Sequence, residues 1–185
     1  MDYNAWYEDG MTPQEYVSSM TKYQEDVVNI YDEFEVPSDD AFFKKLYEQD
    51  LRVLVITEDW CGDAMLNVPI LLKLAEAGNM GVRFLLRDDN PSLMEKHLTN
   101  GAKSIPIMIF INNEGEQVAV WGPRSEKMQE IVDHGRNNLP SKDDPTFKEK
   151  EKQMILFLTK GFRENHEYWK DVYTSMAKRL KSVID

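Results

Sequence analysis

The sequence predicts an α/β fold: a central mixed sheet flanked by helices, with extra helices at the N- and C-terminal ends. Three observations predict it. Arg52 to Thr57 is a β-branched run too short for a helix and apolar on both faces, as a central parallel strand is. A helical segment from Ala64 to about Ala77 and a second apolar run, Val82 to Leu86, complete a βαβ unit. Ile107 to Ile111 and Gln117 to Trp121 flank the turn Asn112-Asn113-Glu114-Gly115 and read as a hairpin. The sheet therefore starts parallel and ends antiparallel.

The flanking elements follow from caps and spacing. Thr12-Pro13 reads as an N-cap and first-turn proline, with Glu15 in the acidic first turn. Tyr16, Met20, Tyr23, Val27, Ile30, Tyr31 and Phe34 then recur at the spacing of one helix face, predicting a single helix. Val36-Pro37 ends it, and Ser38 caps a short helix from Asp39 to Gln49. Pro69 interrupts the helix after the first strand and Gly78 ends it. Pro91 to about Asn100 and Ser125 to Asn138 read as helices, and from Pro145 onward the chain is helical, with a bend expected at Gly161. Three parts result: an N-terminal helical extension (1–50), the α/β unit (51–139) and a C-terminal helical extension (140–185). The C-terminal stripe pairs either with the N-terminal helix or with the sheet unit.

Composition bounds the function. With 185 residues, 42% hydrophobic and 30% charged, the chain has the make-up of one compact folded domain. The longest apolar run, Ile105 to Ile111, falls well short of the roughly 18 residues that cross a bilayer. The N-terminus is acidic and aromatic, without the basic and apolar regions of a secretory signal, so a cytoplasmic address and no membrane partner are expected. The net charge of −11 makes nucleic acid a poor partner. Residues 1–50 hold 3 basic against 13 acidic side chains and residues 145–185 hold 9 against 6, which favours docking of the two ends on each other. Homodimerisation through the terminal stripes is a further expectation.

The chemistry centres on Trp60-Cys61-Gly62-Asp63-Ala64, where a strand gives way to a helix. Cys61 is the one cysteine, so no internal disulfide can form. A thiol at a helix N-terminus faces unsatisfied N–H groups and the positive end of the macrodipole, and both favour thiolate. A lone cysteine is more often a small buried hydrophobe. Glu58, Asp59 and Asp63 oppose ionisation. Each carboxylate at around 6–8 Å costs roughly 0.5–3 kcal/mol. The helix end returns roughly 0.3–1 kcal/mol when exposed and about 2 when partly buried. The sign of the sum stays open at this level. Asp63 reads first as a first-turn capping residue and Glu58 and Asp59 equally as solvated loop charges; Arg124 reads first as an exposed residue at a helix start, and otherwise as a guanidinium near the active-site edge where small-thiol carboxylates bind. His97, His134 and His166 lack metal-type spacing, and no Walker loop or Gly-x-Ser-x-Gly elbow occurs, so no metal and no cofactor are expected.

These residues resemble the thioredoxin family, whose active site is a Trp-Cys-Gly-Pro-Cys motif between a strand and a helix. Pro69 stands where that family carries the proline that kinks the active-site helix. Ile105-Pro106 matches its cis-proline, and Gly122 its glycine after the last strand. The resemblance covers about residues 51–139 and shows no counterpart of the family's first strand. It implies a thioredoxin-like fold, Cys61 as the catalytic thiol, and Trp60, Gly62, Asp63, Ile105 and Pro106 as substrate-binding positions. Trp60 would shield the sulfur, Ile105 would offer its backbone to an extended substrate, and Pro106 would hold that edge against Cys61.

Three departures matter. Ala64 stands where the family has its resolving cysteine, Val55 where it has a buried aspartate, and Asp63 where it has proline. Without a resolving thiol a buried carboxylate would be a desolvation cost with no task, so the first two losses agree. The resemblance then implies monothiol exchange: Cys61 forms a mixed disulfide with a protein or low-molecular-weight disulfide, and an outside thiol of the glutathione or bacillithiol type resolves it. The other expectation is a redox-silent module that binds a partner protein.

Overall fold

In the computed structural model, which describes residues 2–184, four strands form one sheet in the order β2-β1-β3-β4. Met1 and Asp185, the outer residues of the two expected extensions, lie outside the described residues. Strands β1 (Arg52–Thr57) and β2 (Gly81–Leu86) run parallel, and β1 pairs antiparallel with β3 (Ile107–Ile111). Strand β4 (Gln117–Trp121) pairs antiparallel with β3, with a bulge between Phe110 and Ile111. The apolar runs set these strands: β1 is buried from Val53 to Thr57 and β3 along its whole length.

In chain order the helices are α1 (Asn4–Asp9), α2 (Pro13–Ser19), α3 (Gln24–Glu33), α4 (Asp40–Glu48), α5 (Gly62–Ala77), α6 (Pro91–Met94), α7 (Glu126–Asn137), α8 (Phe147–Glu164) and α9 (His166–Ile184). Helix α5 joins the parallel strands and is apolar nearly all round, because it is enclosed between the sheet and the terminal helices α3, α8 and α9. One continuous core runs from Tyr3 to Leu180, so both extensions bury side chains with the sheet.

Several elements differ from the sequence reading. The helix expected from Thr12 to Phe34 is two, α2 and α3, broken at residues 20–23, where Tyr23 adopts φ 60°. Helix α1 was not foreseen; it is anchored by the buried Tyr3 and Tyr7. The cap of α4 is Asp39, accepting from the Phe42 N–H, rather than Ser38. Helix α6 spans four residues instead of reaching Asn100. The C-terminal helix breaks at Asn165, while Gly161 stays inside α8 with Tyr168 packed close to it. Helix α9 rests on α5, β4 and α7 and meets α4, so the sheet unit is its main partner. Opposite charge does join the ends: Arg163 pairs with Asp26 at 2.9 Å and Lys181 with Asp39 at 2.6 Å.

Candidate active site

The sequence places a sulfur where β1 ends, and the fold sets it as the N-cap of α5. The Ile105–Pro106 peptide, which enters β3, is cis and lies opposite: the Cys61 Sγ–H donates to the Ile105 carbonyl oxygen at 3.5 Å. The antiparallel pairing of β1 with β3 produces this approach, because the end of one strand meets the start of the other. Cys61 and Ile105 are both buried, at 8% and 5% exposed.

Burial pushes the Cys61 thiol up to about 11, and the Asp63 carboxylate adds to the rise. The backbone N–H groups of Ala64 and Asp63 at the start of α5, and the Arg124 guanidinium, pull the other way and are outweighed. The thiol is therefore neutral at pH 7 in this conformation. Val55, in β1, is fully buried and brings no carboxylate of its own into the core. The ring of Tyr16 is stacked on Phe84 with centroids 4.3 Å apart, and its hydroxyl meets Thr57 Oγ1 at 3.2 Å. Burial pushes that phenol up to about 12.

The charges around the motif are engaged rather than solvated, which corrects their sequence reading. Asp63 receives two hydrogen bonds from Arg124, Nε to Oδ1 at 2.7 Å and Nη2 to Oδ2 at 2.6 Å. Both side chains are largely covered, Arg124 at 13% and Asp63 at 15% exposed, and Arg124 also donates to Gln129. Burial still pushes the Asp63 carboxyl above its ordinary value, with Arg124 working against it. Glu58 is buried and accepts the Asp88 N–H at 3.0 Å. Asp59 accepts both the N–H and the hydroxyl of Thr21 at 2.8 Å, which fastens the break between α2 and α3 to the loop before Cys61. These bonds hold the Asp59 carboxyl below its ordinary range.

Trp60 is 45% exposed, with the Arg87 guanidinium 4.9 Å from its ring centre. Gly62 lets α8 lie across the first turn of α5: a Cβ there would stand 3.0 Å from Thr159 Cγ2 and 4.0 Å from the Phe162 ring. Thus Cys61, Gly62, Asp63, Ile105 and Pro106 come together, and Arg124, Thr159, Phe162 and Tyr16 join them from distant segments. The three histidines stay apart: His97 meets Tyr3, His134 meets Asn138, and His166 stacks on Trp169. No group of metal-ligating side chains occurs among the described residues.

Behind Pro106 the backbone is closely fitted. Gly122 has φ +118°, and a Cβ on it would lie 2.3 Å from the Pro106 carbonyl oxygen. Gly122→Ala is expected to cost about 2–4 kcal/mol, combining backbone strain with overpacking against a main-chain atom. A urea midpoint within error of the parent would contradict this. Asn67, inside α5, donates to the Pro123 carbonyl at 2.9 Å and so ties the helix to the same loop.

A thioredoxin family model matches residues 10–139. The chain belongs to the thioredoxin family. The match begins some forty residues before the stretch on which the motif resemblance rests, so α2, α3 and α4 lie within it. The fold is thioredoxin-like, and Met11 forms an isolated antiparallel bridge with Phe84 of β2. A protein of unknown function from Pseudomonas aeruginosa shares the fold with a TM-score of 0.67 at 15% identity, covering 98% of each chain. An HIV epitope-scaffold aligns with a TM-score of 0.66 at 16% identity, covering 98% of this thioredoxin-family chain and 99% of its own. Both likenesses span the terminal helices. No curated protein matches the chain. No helix among the described residues is long and apolar enough to cross a membrane.

Proposed function

We propose that this thioredoxin-family chain carries out monothiol thiol–disulfide exchange through Cys61. The observation that carries the reading is the placement of the sulfur: at the N-cap of α5 and facing the Ile105–Pro106 peptide. The Cys61 thiolate attacks one sulfur of a disulfide; a Cys61–S–S bond forms and the other half leaves as thiolate. With Ala64 in place of a second thiol, an external thiol then attacks the mixed disulfide, restores Cys61 and carries the transferred half away as a new disulfide. A glutathione- or bacillithiol-type thiol fits this role. A polar cleft beside Gly122 and Pro123 is lined by Arg124 and Arg136 together with Glu126, Glu130 and Asp133, so Arg136 is the cation it leaves for a carboxylate once Arg124 is paired with Asp63. Trp60, the residue before Cys61 in the chain, presents an exposed ring to a protein substrate.

The test is incubation with glutathione disulfide at pH 9, followed by intact mass. The parent chain is expected to gain one glutathione, lose it on addition of reduced thiol, and Cys61→Ser to gain none. A parent chain that stays unmodified while its urea-unfolded form is modified would overturn the reading.

The burial of Cys61 favours a second reading, a redox-silent module that binds a partner protein. A Cys61→Ser variant that keeps cellular function and partner capture would establish it; loss of both would remove it.

A further inference from the structure

We infer that α8 is a displaceable cover over Cys61, hinged at Asn165, so that the thiol shown here is the closed state of the site. The inference extends the exchange reading by naming how its thiol is regulated.

Helix α8 lies across the first turn of α5, with Thr159 and Phe162 against Gly62, the residue next to Cys61. It is held lightly for its length. Of its eighteen residues only those two are buried, whereas α9 buries Trp169, Val172, Tyr173, Met176, Ala177 and Leu180. Leu158 packs partly buried against the core and Met154 lies against Gly135, while Ile155, Leu156 and Phe157 are exposed. The Thr159 hydroxyl bonds back to the Ile155 and Leu156 carbonyls of its own helix, so no polar bond from it reaches the site. Two polar fastenings sit at the C-terminal end: the Trp169 indole N–H on the Phe162 carbonyl at 2.8 Å and the Arg163–Asp26 pair. Beyond them Asn165 leaves helical geometry and caps α9 through the Glu167 N–H. The preceding connection, from residue 140 to 146, is largely exposed. An element with few buried contacts, set between a hinge and an exposed loop, opens at lower free energy than the core beneath it. Lifting α8 removes the atoms that exclude water from the start of α5, which lowers the desolvation that keeps the thiol protonated.

The experiment follows iodoacetamide alkylation of Cys61 and amide exchange of α8 and α5, in the parent chain and in the Phe162→Ala/Arg163→Ala variant. Alkylation is expected to rise about tenfold or more in the variant, with α8 amides exchanging faster and α5 amides still protected. An alkylation rate within twofold of the parent, with α8 loosened, would overturn the cover. In case the variant does not fold, the parent alone decides through its urea dependence. Alkylation that tracks α8 exchange below the global transition supports the cover, and alkylation that tracks α5 overturns it. Alkylation needs only access, so a variant that alkylates faster yet takes no glutathione would keep the cover and remove the exchange reading.

Discussion

Alkylation of Cys61 at pH 7 is expected to run about 300-fold slower than that of a free cysteine, and to keep climbing about tenfold per pH unit through pH 9. The argument is a thiolate count. A thiol pushed up to about 11 holds a thiolate fraction near 10⁻⁴ at pH 7, against about 3% for an unperturbed thiol. Burial is the larger cause and Asp63 the next. A plateau near or below pH 8.5 would show that the sulfur ionises as readily as in water. The same shift couples to stability, and its sign is fixed. The unfolded thiol releases its proton near 8.5 and the folded one at about 11, so between those values the folded state binds more protons. This contribution is complete below about 8.5 and is lost as pH rises through 11.

The second large effect lies one turn away. Arg124→Ala leaves the Asp63 carboxylate buried without its cation, and removal of one member of such a pair costs about 3–5 kcal/mol. Arg124→Lys is expected to restore only part, because an ammonium cannot reproduce the two-pronged bond to Oδ1 and Oδ2. Burial already pushes the Asp63 carboxyl up, and loss of Arg124 pushes it further. The variant therefore loses stability as pH rises from the unfolded carboxylate value near 4 through the raised folded value, and recovers part of it in acid. Urea unfolding at pH 4.5 and 7.5 checks both points. A loss below about 1 kcal/mol at both would show that Asp63 is solvated when unpaired.

The strands were legible because each is a short apolar run bounded by turn residues, and β3 and β4 fall where the pattern places them. The position of Cys61 was legible for the same reason, since β1 must end before α5 begins. The break between α2 and α3 was not. Met20 and Tyr23 continue the apolar stripe across it, and the bonds that stabilise it come from Asp59, thirty-eight residues away from Thr21. Net charge foretold that the ends attract, yet it could not show that Arg124 finds Asp63, because that pair depends on how β4 returns beside β3. Burial of Cys61 was equally invisible. Helix α8 packs against Gly62 beside it, and the α8 stripe reads the same whether it rests on the sheet unit or on the N-terminal helix.

The two rims of the sheet are occupied by the chain's own extensions. On the β2 side Met11 exchanges both main-chain hydrogen bonds with Phe84, and on the β4 side the Arg179 guanidinium donates to the Val120 carbonyl. An unpaired strand border is a template for a foreign strand. Here each border gives up one position from within, Phe84 on β2 and the Val120 carbonyl on β4, which shortens the ladder that another polypeptide or a second copy could extend.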